Sequence, residues 1–219
     1  MTTTDIPFSK ALREGTWSDH SDSEGAGFMD DLMKGAGTRE DYIALVAQHF
    51  FMYEALEACT ESMRGNPVAA PFISDALTRL PALEADLAFL LGADWRAQIS
   101  PVPATAAYAA RIAEVGHDWA GGYVAHHYTR YLGDLSGGQM ISRLMQRQFG
   151  FERDGVGFYA FDELESIPGF KNEYRAQLDA LPLDAEELAR VIDEARIAYR
   201  FNTEVFTDLA RAKRAADPA

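Results

Sequence analysis

Cysteine is nearly absent from this chain. Cys59 stands alone among 219 residues, so no intramolecular disulfide can form and a reducing cytoplasm is the natural setting. Long apolar runs are missing as well: none approaches the roughly 18–20 residues of a membrane span. The N-terminal Met-Thr-Thr-Thr-Asp-Ile-Pro lacks the basic region and apolar core of a secretory signal. Positive charge is scarce, with 20 Lys and Arg against 34 Asp and Glu and a net charge of −14. That balance argues against a general nucleic-acid or acidic-membrane binder, which needs a basic footprint. Period-2 alternation, Asn-Gly hairpin signals, internal repeats, low-complexity tracts and interdomain linkers are all lacking. The expectation is a single all-α domain over residues 1–219, cytoplasmic, with flexible tails at 1–7 and 216–219.

What is present is helical pattern almost throughout, with 47% hydrophobic residues to fill a core. Helices are expected over Phe8 to about Ser23, over Phe28–Lys34 up to Gly35, and from a Thr38/Asp41 capping pair to Arg64. Further helices are expected from Pro81 to Leu91, over Ala104–Val115 and over Phe170–Leu181. A final one starts at Asp184/Glu187 and reaches about Ala215. A glycine-containing break is expected at Ala120-Gly121-Gly122, and a loop at Gly155-Val156-Gly157.

The segment from Tyr123 to Phe149 reads as helix but carries Gly133, Gly137 and Gly138 in its interior. Each costs roughly 0.8–1 kcal/mol relative to alanine. Gly133 and Gly137 are four apart and share one face. A face without side chains admits another helix or a planar ligand. Asp134, beside Gly133 in a stretch bound for the interior, must be hydrogen-bonded, paired with a cation such as Arg130, or shifted in pKa.

Five histidines are candidates: His20, His49, His117, His126 and His127. Adjacent His126 and His127 point about 100° apart on a helix and do not easily serve one site. Glu114-Val-Gly-His117 has the Glu-x-x-His spacing of di-iron bundles, but such sites need two copies and further glutamates. His20 has better company, with Glu24 four residues on and Arg13 seven residues back. An iron-bound imidazole needs an acceptor on its second nitrogen, which Glu24 could supply. Lys171 and Arg175 stand four apart, a spacing suited to two carboxylates. The bland reading of each set is a solvated helix face.

Tyr128-Thr-Arg-Tyr-Leu-Gly-Asp-Leu-Ser-Gly-Gly-Gln139 is nearly a family signature. It is accompanied in order by His20-x-x-x-Glu24 with Phe28-Met29, Phe51-x-Tyr53-x-Ala-Leu-Glu57, Gly157-Phe-Tyr-x-Phe161 and Phe170-Lys-x-x-Tyr-Arg175. With these motifs the chain resembles the heme oxygenases, in particular the soluble bacterial type, over residues 9 to 209. The resemblance implies an all-α bundle with heme between a proximal helix and a glycine-interrupted distal helix. His20 would be the proximal iron ligand and Glu24 its partner. Gly133 and Gly137 would lay backbone against heme and bound O2, and Asp134 would anchor a water network with Tyr53, Arg130 and Asn202. Arg13, Tyr128, Lys171 and Arg175 would hold the heme propionates, with Met29 and Phe206 also binding heme. Arg13 stands where relatives often have Lys, and Tyr199 where they may have Phe.

The implied activity is O2- and electron-dependent cleavage of heme to biliverdin, CO and Fe2+, through a ferric hydroperoxide attacking a meso carbon. The retained Lys171 and Arg175 point to the α isomer. An external reductase or ferredoxin would supply electrons to a monomer without a membrane anchor. The alternatives are a heme-storage protein without turnover and a di-iron oxidase of similar architecture.

Overall fold

The computed structural model describes residues 6–25 and 27–216, apart from the side chains of Glu24 and Ala216. Among these residues all regular structure is helical. The N-terminal helices are α1 (Phe8–Gly15), α2 (Trp17–Glu24) and α3 (Gly27–Met33), followed by the long α4 (Arg39–Met63). Then come α5 (Leu80–Leu91), the short α6 (Trp95–Gln98) and α7 (Pro103–Gly116). Next, α8 (Ala120–His127) runs through π-helical turns at Tyr128–Leu132 and Asp134–Gly138 into α9 (Gln139–Phe149). The chain closes with α10 (Ile167–Asp179) and α11 (Ala185–Ala216).

Local chemistry explains most boundaries. The Thr38 hydroxyl accepts from Asp41 N at 3.1 Å while Asp41 accepts from Thr38 N at 2.8 Å, so Asp completes the capping box as Glu would. Asp184 caps α11 by accepting from Glu187 N at 2.9 Å. Gly150 ends α9 at φ +71°, where a side chain would be strained.

Two expected boundaries are corrected. The Phe8–Ser23 helix is divided at Thr16, whose hydroxyl bonds back to the Leu12 carbonyl at 2.8 Å and whose backbone leaves helical geometry at φ −106°, ψ 0°. Gly121 and Gly122 form no break; they lie in the first turn of α8. The break falls just before them, and Trp119 folds its indole over both. A Cβ at Gly121 would meet that ring at 2.8 Å, and one at Gly122 at 2.5 Å.

α4 packs against α5, α7 and α8, and α11 lies along α2, α3, α7 and α8 and reaches the first π turn. The helix expected to carry an iron ligand and the helix with the bare face therefore rest on one common element. Tyr42, Tyr53, Leu56, Tyr108, Ile112 and Val124 are completely or almost completely buried in the core between them. Burying each such side chain contributes on the order of 1.5–3 kcal/mol.

Candidate functional site

On α2, His20 is half-buried. The Trp17 indole lies parallel to its ring, at 6° with centroids 5.9 Å apart, and Tyr199 of α11 meets it edge-on at 67° and 5.4 Å. Asp19 fixes the helix beneath, accepting from Arg196 Nε and Arg200 Nε of α11, each at 3.2 Å. The expected role of Glu24 falls on a side chain outside the described residues. Met29 is buried on α3. Farther along α11, Asn202 is buried and Phe206 half-buried against the core.

The distal side is built by the two π turns. π turns are rare, distort the regular ladder and recur at functional sites. No described residue lies within 4 Å of where a Cβ would sit at Gly133 or Gly137, so no helix packs on that face. Gly138 differs: a Cβ there would meet Tyr159 at 2.7 Å. Two of the three glycines thus open a surface and the third accommodates a ring.

Asp134 accepts a hydrogen bond from the fully buried Tyr53 hydroxyl. Burial raises its carboxyl to about 6, against the opposing pull of Arg130, the Tyr53 bond and Arg79. The Arg130 guanidinium is buried, with Nη1 3.6 Å from Met52 Sδ, and Tyr108 lies 5.8 Å from it. Arg130 Nε, the Tyr108 hydroxyl and the Tyr159 hydroxyl are buried without a hydrogen-bond partner among the described residues. The charge of Asp134 is felt by both tyrosines and by Arg130, which places these groups around one centre.

The cation set spans three elements. Tyr128 bonds to Thr16, and the charges of Arg13 and Arg175 both act on its hydroxyl, though burial is the larger influence and raises it. Lys171 Nζ donates to Ser136 Oγ at 2.6 Å, linking α10 to the second π turn. Burial and then the neighbouring Arg175 lower the Lys171 pKa. Arg175 Nη1 donates to Asn172 Oδ1 at 3.0 Å, and Arg13 lies over Trp17 at 5.8 Å. Of the predicted residues, Tyr53, Arg130 and Asp134 form one electrostatic cluster, and Arg13, Tyr128 and Arg175 a second.

The remaining histidines have structural partners. His126 Nε2 lies 3.0 Å from Glu194, which Arg111 grips from the other side at 2.7 Å. Burial lowers His126, so the neutral ring donates to the Glu194 carboxylate. His127 bonds the Tyr174 hydroxyl at 2.9 Å, and His49 packs on Phe158; burial lowers both to about 3. Glu114 and His117 are exposed and bonded to Arg111 and Ser62. No group of three or more metal-ligating side chains occurs among the described residues.

Sequence reasoning missed Trp17, Tyr108, Tyr159 and Ser136. Ser136 lies inside the glycine motif and Trp17 one turn before His20, so position alone could have flagged those two. Tyr159 lies in the Gly157-Phe-Tyr-x-Phe161 motif but was given no role there, and Tyr108 comes from a distant segment and carried no local signal.

An all-α protein with a histidine helix and a glycine-faced distal helix on one supporting helix defines a binder of a flat ligand. The heme oxygenase family profile matches residues 6–208. Heme oxygenase 1 of Synechocystis is 35% identical over 93% of this chain and 85% of its own length. A heme oxygenase of Pyropia yezoensis is 37% identical over 90% of this chain and 84% of its own. The crystal structure of Synechocystis heme oxygenase-2 with heme and NO superposes with a TM-score of 0.91 at 33% identity, covering 97% of this chain and 88% of that one. The chain belongs to the heme oxygenase family. No helix among the described residues is long and apolar enough to cross a membrane.

Proposed function

We propose that this protein is a heme oxygenase that uses O2 and electrons to cleave heme to biliverdin, CO and Fe2+. The observation that carries the reading is the juxtaposition of the bare Gly133/Gly137 face with the Asp134–Tyr53 pair. Heme is the substrate, and its iron supplies the oxygen activation.

The protein's own part is positioning and proton supply. His20, steadied by Trp17 and Tyr199, would provide a nitrogen to the heme iron, and Met29 and Phe206 would help hold the ring. The bare backbone at Gly133 and Gly137 would let the face of heme come close to the distal helix, where any larger side chain would intrude. Arg13, Tyr128, Lys171 and Arg175 offer three cations and a hydroxyl to the two propionates and so orient the ring, which favours attack at the α-meso carbon. Lys171 is already hydrogen-bonded to Ser136 and is therefore partly preorganised.

Asp134 does not reach substrate as a strong acid. With its carboxyl at about 6, roughly one molecule in ten is protonated at pH 7. Arg130, Tyr108 and Tyr159 present buried polar atoms that ordered water would satisfy. Asn202, buried on α11, is proposed as a further contributor to that water. Protons thus pass through water held by Asp134, in keeping with a reaction in which abrupt protonation would cleave O–O too early.

The acidic surface bears on the electron donor. Most of the negative excess lies in the first 125 residues, while Arg13, Lys171 and Arg175 would bring three cations to the heme edge of this acidic protein. A reductase or ferredoxin docks there, and turnover falls with added salt. The protein acts as a cytoplasmic monomer, with Cys59 buried and reduced.

The test is aerobic incubation of the heme complex with a reductase system. Loss of the Soret band, CO release and the α isomer of biliverdin are expected. H20A should bind heme yet lose turnover, with recovery on adding imidazole. A stable Soret band in the wild type under turnover conditions would refute the enzymatic reading and leave a heme-storage protein.

A further inference from the structure

We propose that Trp17 is a positioning residue for the iron ligand: its indole, stacked on His20, fixes the plane of the imidazole that α2 presents to heme. This rests on the reading of His20 as the axial ligand.

Trp17 is 57% exposed on a helix whose other residues, apart from His20, are Ser, Asp and Glu. An indole left so far in water gains little from burial, so its place is explained by its neighbours. It precedes His20 by three residues, a spacing that puts both side chains on one face. The two rings lie within 6° of parallel at 5.9 Å, an offset stack. On α11, Tyr199 adds an edge contact to the same imidazole at 67° and 5.4 Å.

A histidine ring rotates broadly about its terminal torsion, so the groups that touch the His20 ring, the Trp17 indole among them, decide its plane. A flat wall on one face and an edge contact narrow that freedom. An aromatic pair of this kind favours the stacked orientation by roughly two- to tenfold. The Arg13 guanidinium lies 5.8 Å from the indole centroid, so a propionate cation, the indole and the ligand imidazole form a single row. Through Trp17, the group that grips the edge of heme and the group that binds its iron share one support.

The experiment compares wild type, W17L, W17F and H20A, with circular dichroism confirming the helical fold of each. In heme-free protein, NMR reads the His20 Hε1 resonance, which the indole ring current displaces. It should move in W17L and be partly restored in W17F. In ferrous heme complexes, the resonance Raman iron–imidazole band should be narrow in wild type, broadened or shifted in W17L, and largely recovered in W17F. Heme affinity should fall by no more than the roughly two- to tenfold worth of the stack. An unmoved His20 resonance together with an unchanged band in W17L would overturn the proposal. A band that persists in H20A would overturn the ligand assignment itself, an outcome the W17L data cannot mimic.

Discussion

Asp134 should make the heme-free protein less stable as pH rises, and D134N should remove that dependence. The carboxyl titrates at about 6 in the fold, against an ordinary value of 3.8, because burial disfavours its charge more than Arg130 and Tyr53 favour it. Between those values the folded chain holds a proton that the unfolded chain has released. Stability from this group is therefore complete below about pH 3.8 and is lost as pH rises through about 6. At about 1.4 kcal/mol per pH unit the whole effect is about 3 kcal/mol, of which about 2 kcal/mol falls between about pH 4.5 and 7.5. Asparagine still accepts from Tyr53 and does not titrate, so the comparison isolates ionisation from the hydrogen bond. Urea unfolding of both heme-free proteins across that range gives the difference directly. The stability of wild type relative to D134N should fall by about 2 kcal/mol toward the alkaline end. A difference constant to within about 0.5 kcal/mol would show that Asp134 is not raised, and the account of gentle proton supply would fail with it.

Other consequences can be checked separately. G133A and G137A meet no described neighbour, so each should stabilise the heme-free protein by about 0.8–1 kcal/mol while impairing heme turnover. G138A places a Cβ against Tyr159 and should instead cost about 1–3 kcal/mol, both read by thermal or urea unfolding. E194A leaves Arg111 and buried His126 without their shared carboxylate and should cost about 3 kcal/mol in the same assays. K171A removes one charge-assisted contact worth about 1.5–2 kcal/mol, so heme titration should show binding weaker by roughly ten- to thirtyfold.

Local signals carried the fold well where chemistry was local. Thr38 with Asp41, Asp184 with Glu187, and Gly150 mark helix ends because capping needs only residues within one turn. Thr16 and the Gly121-Gly122 pair escaped for opposite reasons. The back-bond of a threonine hydroxyl competes with a helix only weakly, and the glycines look like breakers until Trp119 is seen filling their space. The site divides in the same way. Gly133, Asp134 and Gly137 were legible because three anomalies crowd one short motif. What makes Asp134 unusual is its burial, and the groups around it, the Tyr53 hydroxyl that bonds it and the Tyr108 and Tyr159 hydroxyls that feel its charge, arrive from three other parts of the chain. Burial of that kind has no sequence period. Separating the open glycines from Gly138 likewise required knowing where Tyr159 packs.

The two π turns also act as a phase shifter. Each accommodates about one residue more than an α-helical turn, and one residue corresponds to roughly 100° of rotation. Two of them displace α9 by roughly 200° from the face it would show if α8 simply continued. Nearly all of α8 is buried, whereas α9 buries only Met145 fully and leaves Met140, Arg143 and Arg147 exposed, although the chain between them never leaves the helix. A single-residue deletion within 128–138 could be absorbed by relaxing one π turn to α geometry, with little loss of helical structure. The deletion would still rotate Asp134 or the glycine pair away from its present bearing. Length in this segment is therefore under tighter functional constraint than stability alone would impose.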